Sequence, residues 1–234
     1  AVIPRLVEAG HRVLAPDQRG YSPGARPRGR RAYTIDLLAG DVVALLDRVF
    51  ASWDSLAIEH GVEKIKTIGD AYMVAGGIPL SREDHAEAIA ETALAMAPEL
   101  AVVAADTGTV LQVRIGIDTG PVVAGVIGRA KFIYDLWGDT VNTASRMESH
   151  AQPGTIQVTE RTYERLRERY ELVPRGTVEI KGKGQMTTYL LLSRRGNQAS
   201  ARPDVAAGVA RKAAPDNPTF AATANADPRD PRSR

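Results

Sequence analysis

The chain has 234 residues, 44% hydrophobic and 25% charged, which suits one substantial folded domain with appendages, and no stretch approaches the roughly 18 apolar residues of a membrane helix. The absence of cysteine excludes disulfides and thiolate metal sites and agrees with a cytoplasmic setting; no charged-then-apolar leader opens the chain, so no signal peptide is expected. The net charge of +2 conceals a basic front: residues 1–31 carry seven Arg against Glu8 and Asp17, roughly +5. Their Arg26–Arg31 cluster is read as a solvated loop rather than a nucleic-acid or lipid contact.

In chain order, an apolar turn (Val2, Ile3, Leu6, Val7) stops at Gly10, His11–Ala15 reads as a short strand, and Pro16–Arg31 as a Gly/Pro/Arg loop. Apolar residues at helical spacing from Leu38 to Leu56 predict a helix over 35–58, with Gly61 as its stop. Val62–Ile68 and Ala71–Ala75 alternate about Gly69-Asp70 and predict a hairpin. An Ala-rich helix over Glu83–Ala104 and a strand over Leu111–Ile117 follow, then a helix capped by Asp139 and running to about His150. Thr155–Val158 reads as a strand, Glu160–Arg169 as a charged helix, and Thr177–Ile180 with Met186–Leu192 as a closing strand pair. The pattern is α+β, a sheet with helices on one face. Residues 196–234 hold almost no large apolar groups and are expected to be disordered.

Four stretches carry a resemblance: Glu63–Met73 (EKIKTIGDAYM), Arg114–Gly125 (RIGIDTGPVVAG), Phe132–Glu148 (FIYDLWGDTVNTASRME) and Lys181–Gly184 (KGKG). Together they resemble the catalytic domain of class III adenylate and guanylate cyclases, in order and spacing, over about residues 45–192. The resemblance implies a ferredoxin-like nucleotidyl cyclase fold, a homodimer with sites at its interface, and conversion of ATP to cyclic AMP and pyrophosphate. Attack of the ribose 3′-oxygen on the α-phosphorus calls for two divalent ions, Mg²⁺ or Mn²⁺, and hard ions prefer carboxylates such as Asp70 at the hairpin tip. A turn preference alone would also place an Asp after Gly69.

Adenine offers an acceptor at N1 and a donor at N6, so its reader needs one donor and one acceptor side chain. Lys66 and Asp135 supply them and, by resemblance, occupy the base-reading positions. A solvated lysine is the commoner fate of such a residue, but the joint occurrence of both types favours base reading. Asn142 and Arg146 lie four apart on one helix face. By resemblance the first orients the ribose and the second stabilises charge on the α-phosphate, while Lys181 reaches the triphosphate.

The family's opening strand, which ends in a metal-binding Asp, has no recognisable counterpart before these stretches. Instead Ile3–Ser22, Ala32–Thr34 and Leu38–Asp47 resemble the front of α/β hydrolases of the epoxide-hydrolase type. The expected organisation is therefore a hydrolase-like fragment over 1–47, a cyclase domain lacking its native first strand over 48–195, and a tail over 196–234. Ser22, within GYSPG, is rejected as a nucleophile, because an elbow needs an N–H after the nucleophile and Pro23 has none. Whether Asp17, at the end of the apolar Val13–Ala15 run, replaces the missing metal ligand stays open. A non-catalytic nucleotide-binding or dimerisation module is the second reading, and an ester or epoxide hydrolase the third.

Overall fold

A computed structural model describes residues 34–108, 110–128, 132–180, 182–196 and, as backbone, 219–222. Asp17, Ser22 and Lys181 lie outside the described residues. Helix α1, Ile35–His60, buries Val49, Trp53, Leu56 and Ala57 on one face and ends where Gly61 turns left-handed at φ 63°. That conformation costs glycine nothing sterically, and its N–H reaches Ile58 O at 3.1 Å. The helix runs unbroken through position 47, where the sequence reading set a domain boundary.

Strands β1 (Glu63–Ile68) and β2 (Ala71–Ala75) form the expected antiparallel hairpin, with Ile68 opposite Ala71 and Gly69 at φ 59°. Helix α2, His85–Thr107, starts later and ends later than its expected span, stopping at Gly108. By length and composition it is apolar enough to cross a membrane, which corrects the expectation that no stretch is. Here that apolar character serves packing: Ala90, Ala93, Met96 and Leu100 join the core with Val113 and Ile115. Trp53 is fully buried against them and donates its Nε1–H to Met96 O at 3.3 Å, so the indole's one polar atom is satisfied.

Strand β3 (Gln112–Ile117) is followed by a second antiparallel hairpin, β4 (Val123–Ile127) with β5 (Ile133–Trp137). Helix α3 then spans Asp139–His150. Asp139 is not its cap: Gly138 holds that position, and the Asp139 carboxylate instead meets Lys183 and Arg161. Strand β6 (Ile156–Thr159) leads into a short helix α4, Glu160–Leu166, which stops before the expected Arg169 because β7 begins at Tyr170.

The closing pair, β7 (Tyr170–Ile180) and β8 (Gly184–Arg194), is much longer than its apolar stretches predict. Pro174 and Gly176 break the alternation in sequence, and the sheet absorbs them as a register shift. Within the tail expected to be disordered, Thr219–Ala222 forms a strand, β9, paired parallel to β3 with Gln112 opposite Thr219. Backbone pairing at an open sheet edge needs no large side chains, which is why composition does not reveal it. The main sheet has the order β7-β8-β6-β3-β9. The mixed helices and sheets are those of an α+β domain, and the segment before residue 34, where a first strand would fall, lies outside the described residues.

Candidate active site

The β1–β2 hairpin and the β4–β5 hairpin lie side by side, and their contact brings together two residues 69 positions apart. Lys66 Nζ on β1 donates to Asp135 Oδ2 on β5 at 2.5 Å. Their side chains are 25% and 17% exposed, enough for a ligand to reach and too little for water to screen the pair fully. Asp135 is fixed further by the N–H of Leu136, which its Oδ1 accepts at 2.8 Å. One ammonium and one carboxylate thus stand as adjacent donor and acceptor, each neutralising the other.

Asn142 and Arg146 lie on α3, with Asn142 exposed and Arg146 half-buried. Burial of Thr143 and Met147 against the domain sets the turn-by-turn phase that turns Asn142 outward. Asp70 sits half-buried in the β1–β2 turn. Among the described residues, the side chains of Asp70, Asn142 and Arg146 make no hydrogen bond or ion pair with another. Of the residues singled out in the sequence that the structure describes, the fold joins Lys66 to Asp135 directly and leaves Asp70, Asn142 and Arg146 unpaired among the described residues.

The described residues do not build a two-ion centre. No three His, Asp or Glu side chains among them come together to hold a metal ion, and Asp70 is a single carboxylate.

Sequence reasoning missed a polar network at the start of α3. Asp118, whose side chain is fully buried, accepts from Thr159 Oγ1 at 2.7 Å and from Arg161 Nε at 2.6 Å. This carboxylate holds the Arg161 guanidinium above its ordinary range. Lys183, the second lysine of KGKG, pairs with Asp139 and ties the β7–β8 turn to the start of α3. The signal was present as a second lysine two residues beyond Lys181, but spacing alone does not say that Lys183 reaches Asp139.

The adenylate and guanylate cyclase catalytic domain matches residues 31–193, and the chain belongs to that family. It is 48% identical over 155 residues to an adenylate cyclase of Mycobacterium tuberculosis (strain ATCC 25618 / H37Rv), covering 66% of this chain and 35% of that protein. It is 47% identical over 155 residues to guanylate cyclase soluble subunit beta-2 of Rattus norvegicus, covering 64% and 22%. The chain thus spans about a third or less of the length of these relatives. The guanylate cyclase domain of RhGC from Catenaria anguillulae, solved in complex with GTP, superimposes with a TM-score of 0.61 at 34% identity, covering 71% of this chain and 89% of that one. The relatives bear both names, so family membership gives a cyclase without choosing the purine.

Proposed function

We propose that this chain is an adenylate-type cyclase that converts ATP to cyclic AMP and pyrophosphate. The observation that carries the choice of base is the Lys66–Asp135 pair. Without nucleotide the two groups satisfy each other at 2.5 Å. With adenine between them, the ammonium donates to N1 and the carboxylate accepts from the N6 amine, so both stay paired and no buried charge is left alone. Guanine presents the reversed order along the same edge, and each mismatched contact costs about 1–3 kcal/mol.

Asn142 orients the ribose, and Arg146, a planar guanidinium, stabilises charge developing on the α-phosphate. Lys181 contacts the triphosphate. Mg²⁺ or Mn²⁺ would supply charge neutralisation and activation of the 3′-oxygen, with Asp70 as one ligand. The chain works as a homodimer. In support, the β4–β5 hairpin exposes Val123, Val126, Ile127, Phe132 and Ile133, an apolar surface of the kind that a second copy covers.

A catalytically impaired nucleotide-binding and dimerisation module is the second reading, favoured by one observation: the described residues gather no carboxylate cluster for metal. The base assignment is tested by Lys66→Glu combined with Asp135→Cys. The double variant is expected to move the GTP-to-ATP ratio of turnover, or of nucleotide affinity, by roughly tenfold or more toward GTP. Unchanged selectivity in a folded variant would mean that the pair does not read the base.

A further inference from the structure

Two side chains of the β7–β8 ribbon hold helix α3, and Asn142 and Arg146 lie between the two points of attachment. At the first residue of the helix, Asp139 takes Lys183 from the β7–β8 turn. Eight residues on, Met147 is fully buried, and its sulfur accepts from Gln157 Nε2 on β6 at 3.6 Å. Gln157 is fully buried too, and its Oε1 accepts from the guanidinium of Arg175 on β7. Arg175 reaches inward because the β7–β8 register skips it, between Pro174 opposite Tyr189 and Gly176 opposite Thr188. A bulge of this kind re-aims one side chain out of the strand's alternation. Burial pushes the Arg175 guanidinium below its ordinary range, and no carboxylate pairs with it among the described residues, so the Gln157 amide is what holds it.

Helical spacing says what these ties control. Asp139, Asn142 and Arg146 follow at i, i+3 and i+7 and share one face, which the pairing of Asp139 with Lys183 turns toward the β7–β8 turn. The opposite flank of α3 rests on β3, where Ala144 O and Glu148 N stand against Gly116 and Glu148 Oε1 lies 3.1 Å from Arg114 Nε. In the sheet β3 lies on one side of β6, and β8 with β7 on the other. A helix held along one flank can still roll about its axis, and a roll carries Asn142 and Arg146 with it. Ties from the other side, about 12 Å apart along the axis, oppose that roll.

We infer that Asp139 and Arg175 are positioning residues of the cyclase site: acting through Lys183 and Gln157, they fix the rotation of α3 and so the presentation of Asn142 and Arg146 to the ribose and the α-phosphate. The inference rests on the roles proposed above for Asn142 and Arg146. Asp139 is 65% exposed, so its replacement leaves the core intact.

The test measures kcat and KM for ATP with Mn²⁺ on the full chain, well below the thermal unfolding midpoint of each variant. Asp139→Ala and Arg175→Met are each expected to lower kcat about tenfold or more and to move KM less than about threefold, because misplacing a group that acts in the transition state costs rate rather than ground-state binding. Arg175→Lys keeps a donor for Gln157 Oε1 and is expected to recover kcat to within about threefold of the parent. Arg195→Met cuts a different tie of the same ribbon, to Tyr170 O at 2.9 Å, and is expected to leave kcat unchanged. An equal fall in Arg195→Met would show that any loosening of the ribbon acts alike, and overturns the inference. So does a kcat within about twofold of the parent in Asp139→Ala and Arg175→Met, or an effect confined to KM. Arg146→Ala separates the two levels of failure. If it lowers kcat while Asp139→Ala and Arg175→Met do not, only this inference fails. If it leaves kcat intact, or the parent has no turnover, the reading of the site fails and the inference falls with it.

Discussion

Lys66 and Asp135 illustrate why single substitutions are poor probes of a paired site. Lys66→Glu alone would place two carboxylates side by side in a half-buried position, and its effect would mix repulsion with base reading. Changing both residues removes that confusion, which is why the selectivity test rests on the double variant. A second residue-scale prediction concerns Tyr72, buried at 1% exposure between Phe50 and Trp53. Its hydroxyl donates to Asp54 Oδ1 at 2.6 Å, and Asp54 also holds Lys64 at 2.7 Å. Burial first, and then the Asp54 carboxylate, push the phenol well above its ordinary range. The folded state therefore keeps a proton that the unfolded state loses above about pH 10. The contribution of Tyr72 is full below that pH and is lost as pH rises beyond it. Tyr72→Phe is expected to cost about 1 kcal/mol at pH 7 and to flatten the loss of stability above about pH 10. Urea unfolding of both proteins from neutral to alkaline pH reads both effects; an unchanged alkaline slope would show that another group, such as the similarly raised Tyr170, carries it.

At the scale of elements, α3 rests so closely on β3 that only glycine fits at position 116. A Cβ there would lie 2.1 Å from Glu148 N and 2.3 Å from Ala144 O, both backbone atoms that have no rotamer to yield. Gly116→Ala is expected to cost about 3 kcal/mol or more, or to prevent folding, as overpacking against backbone does. Thermal unfolding within about 1 kcal/mol of the parent would contradict this packing. The helices were legible because their apolar period holds: Trp53 and Leu56 mark the buried stripe of α1. Strands whose side chains are mostly exposed were not. Val123–Ile127 shows no alternation because neither of its faces is buried, and its hairpin was not read from the sequence. Strand β9 escaped notice for a different reason, since its partner is a backbone edge rather than an apolar surface.

For the molecule as a whole, the exposed hairpin states what the single chain leaves unfinished. Phe132 at 75% and Val123 at 67% exposure cost nothing only if another surface covers them. Val126→Asp is expected to shift the purified chain from dimer to monomer in sedimentation and to abolish turnover with it; a dimer that persists would place the interface elsewhere. The site was legible in part. Lys66 and Asp135 were paired from the chemistry of adenine and a motif, since nothing in local periodicity links positions 69 apart. The pairing of Lys183 with Asp139 and the burial of Asp118 depend on tertiary packing that no spacing encodes. The most direct measurement supplies equal ATP and GTP with Mn²⁺ to the purified chain and quantifies both cyclic products. The adenine-reading pair predicts cyclic AMP in clear excess. Cyclic GMP in excess, or neither product from a folded chain that binds nucleotide, would contradict an adenylate cyclase.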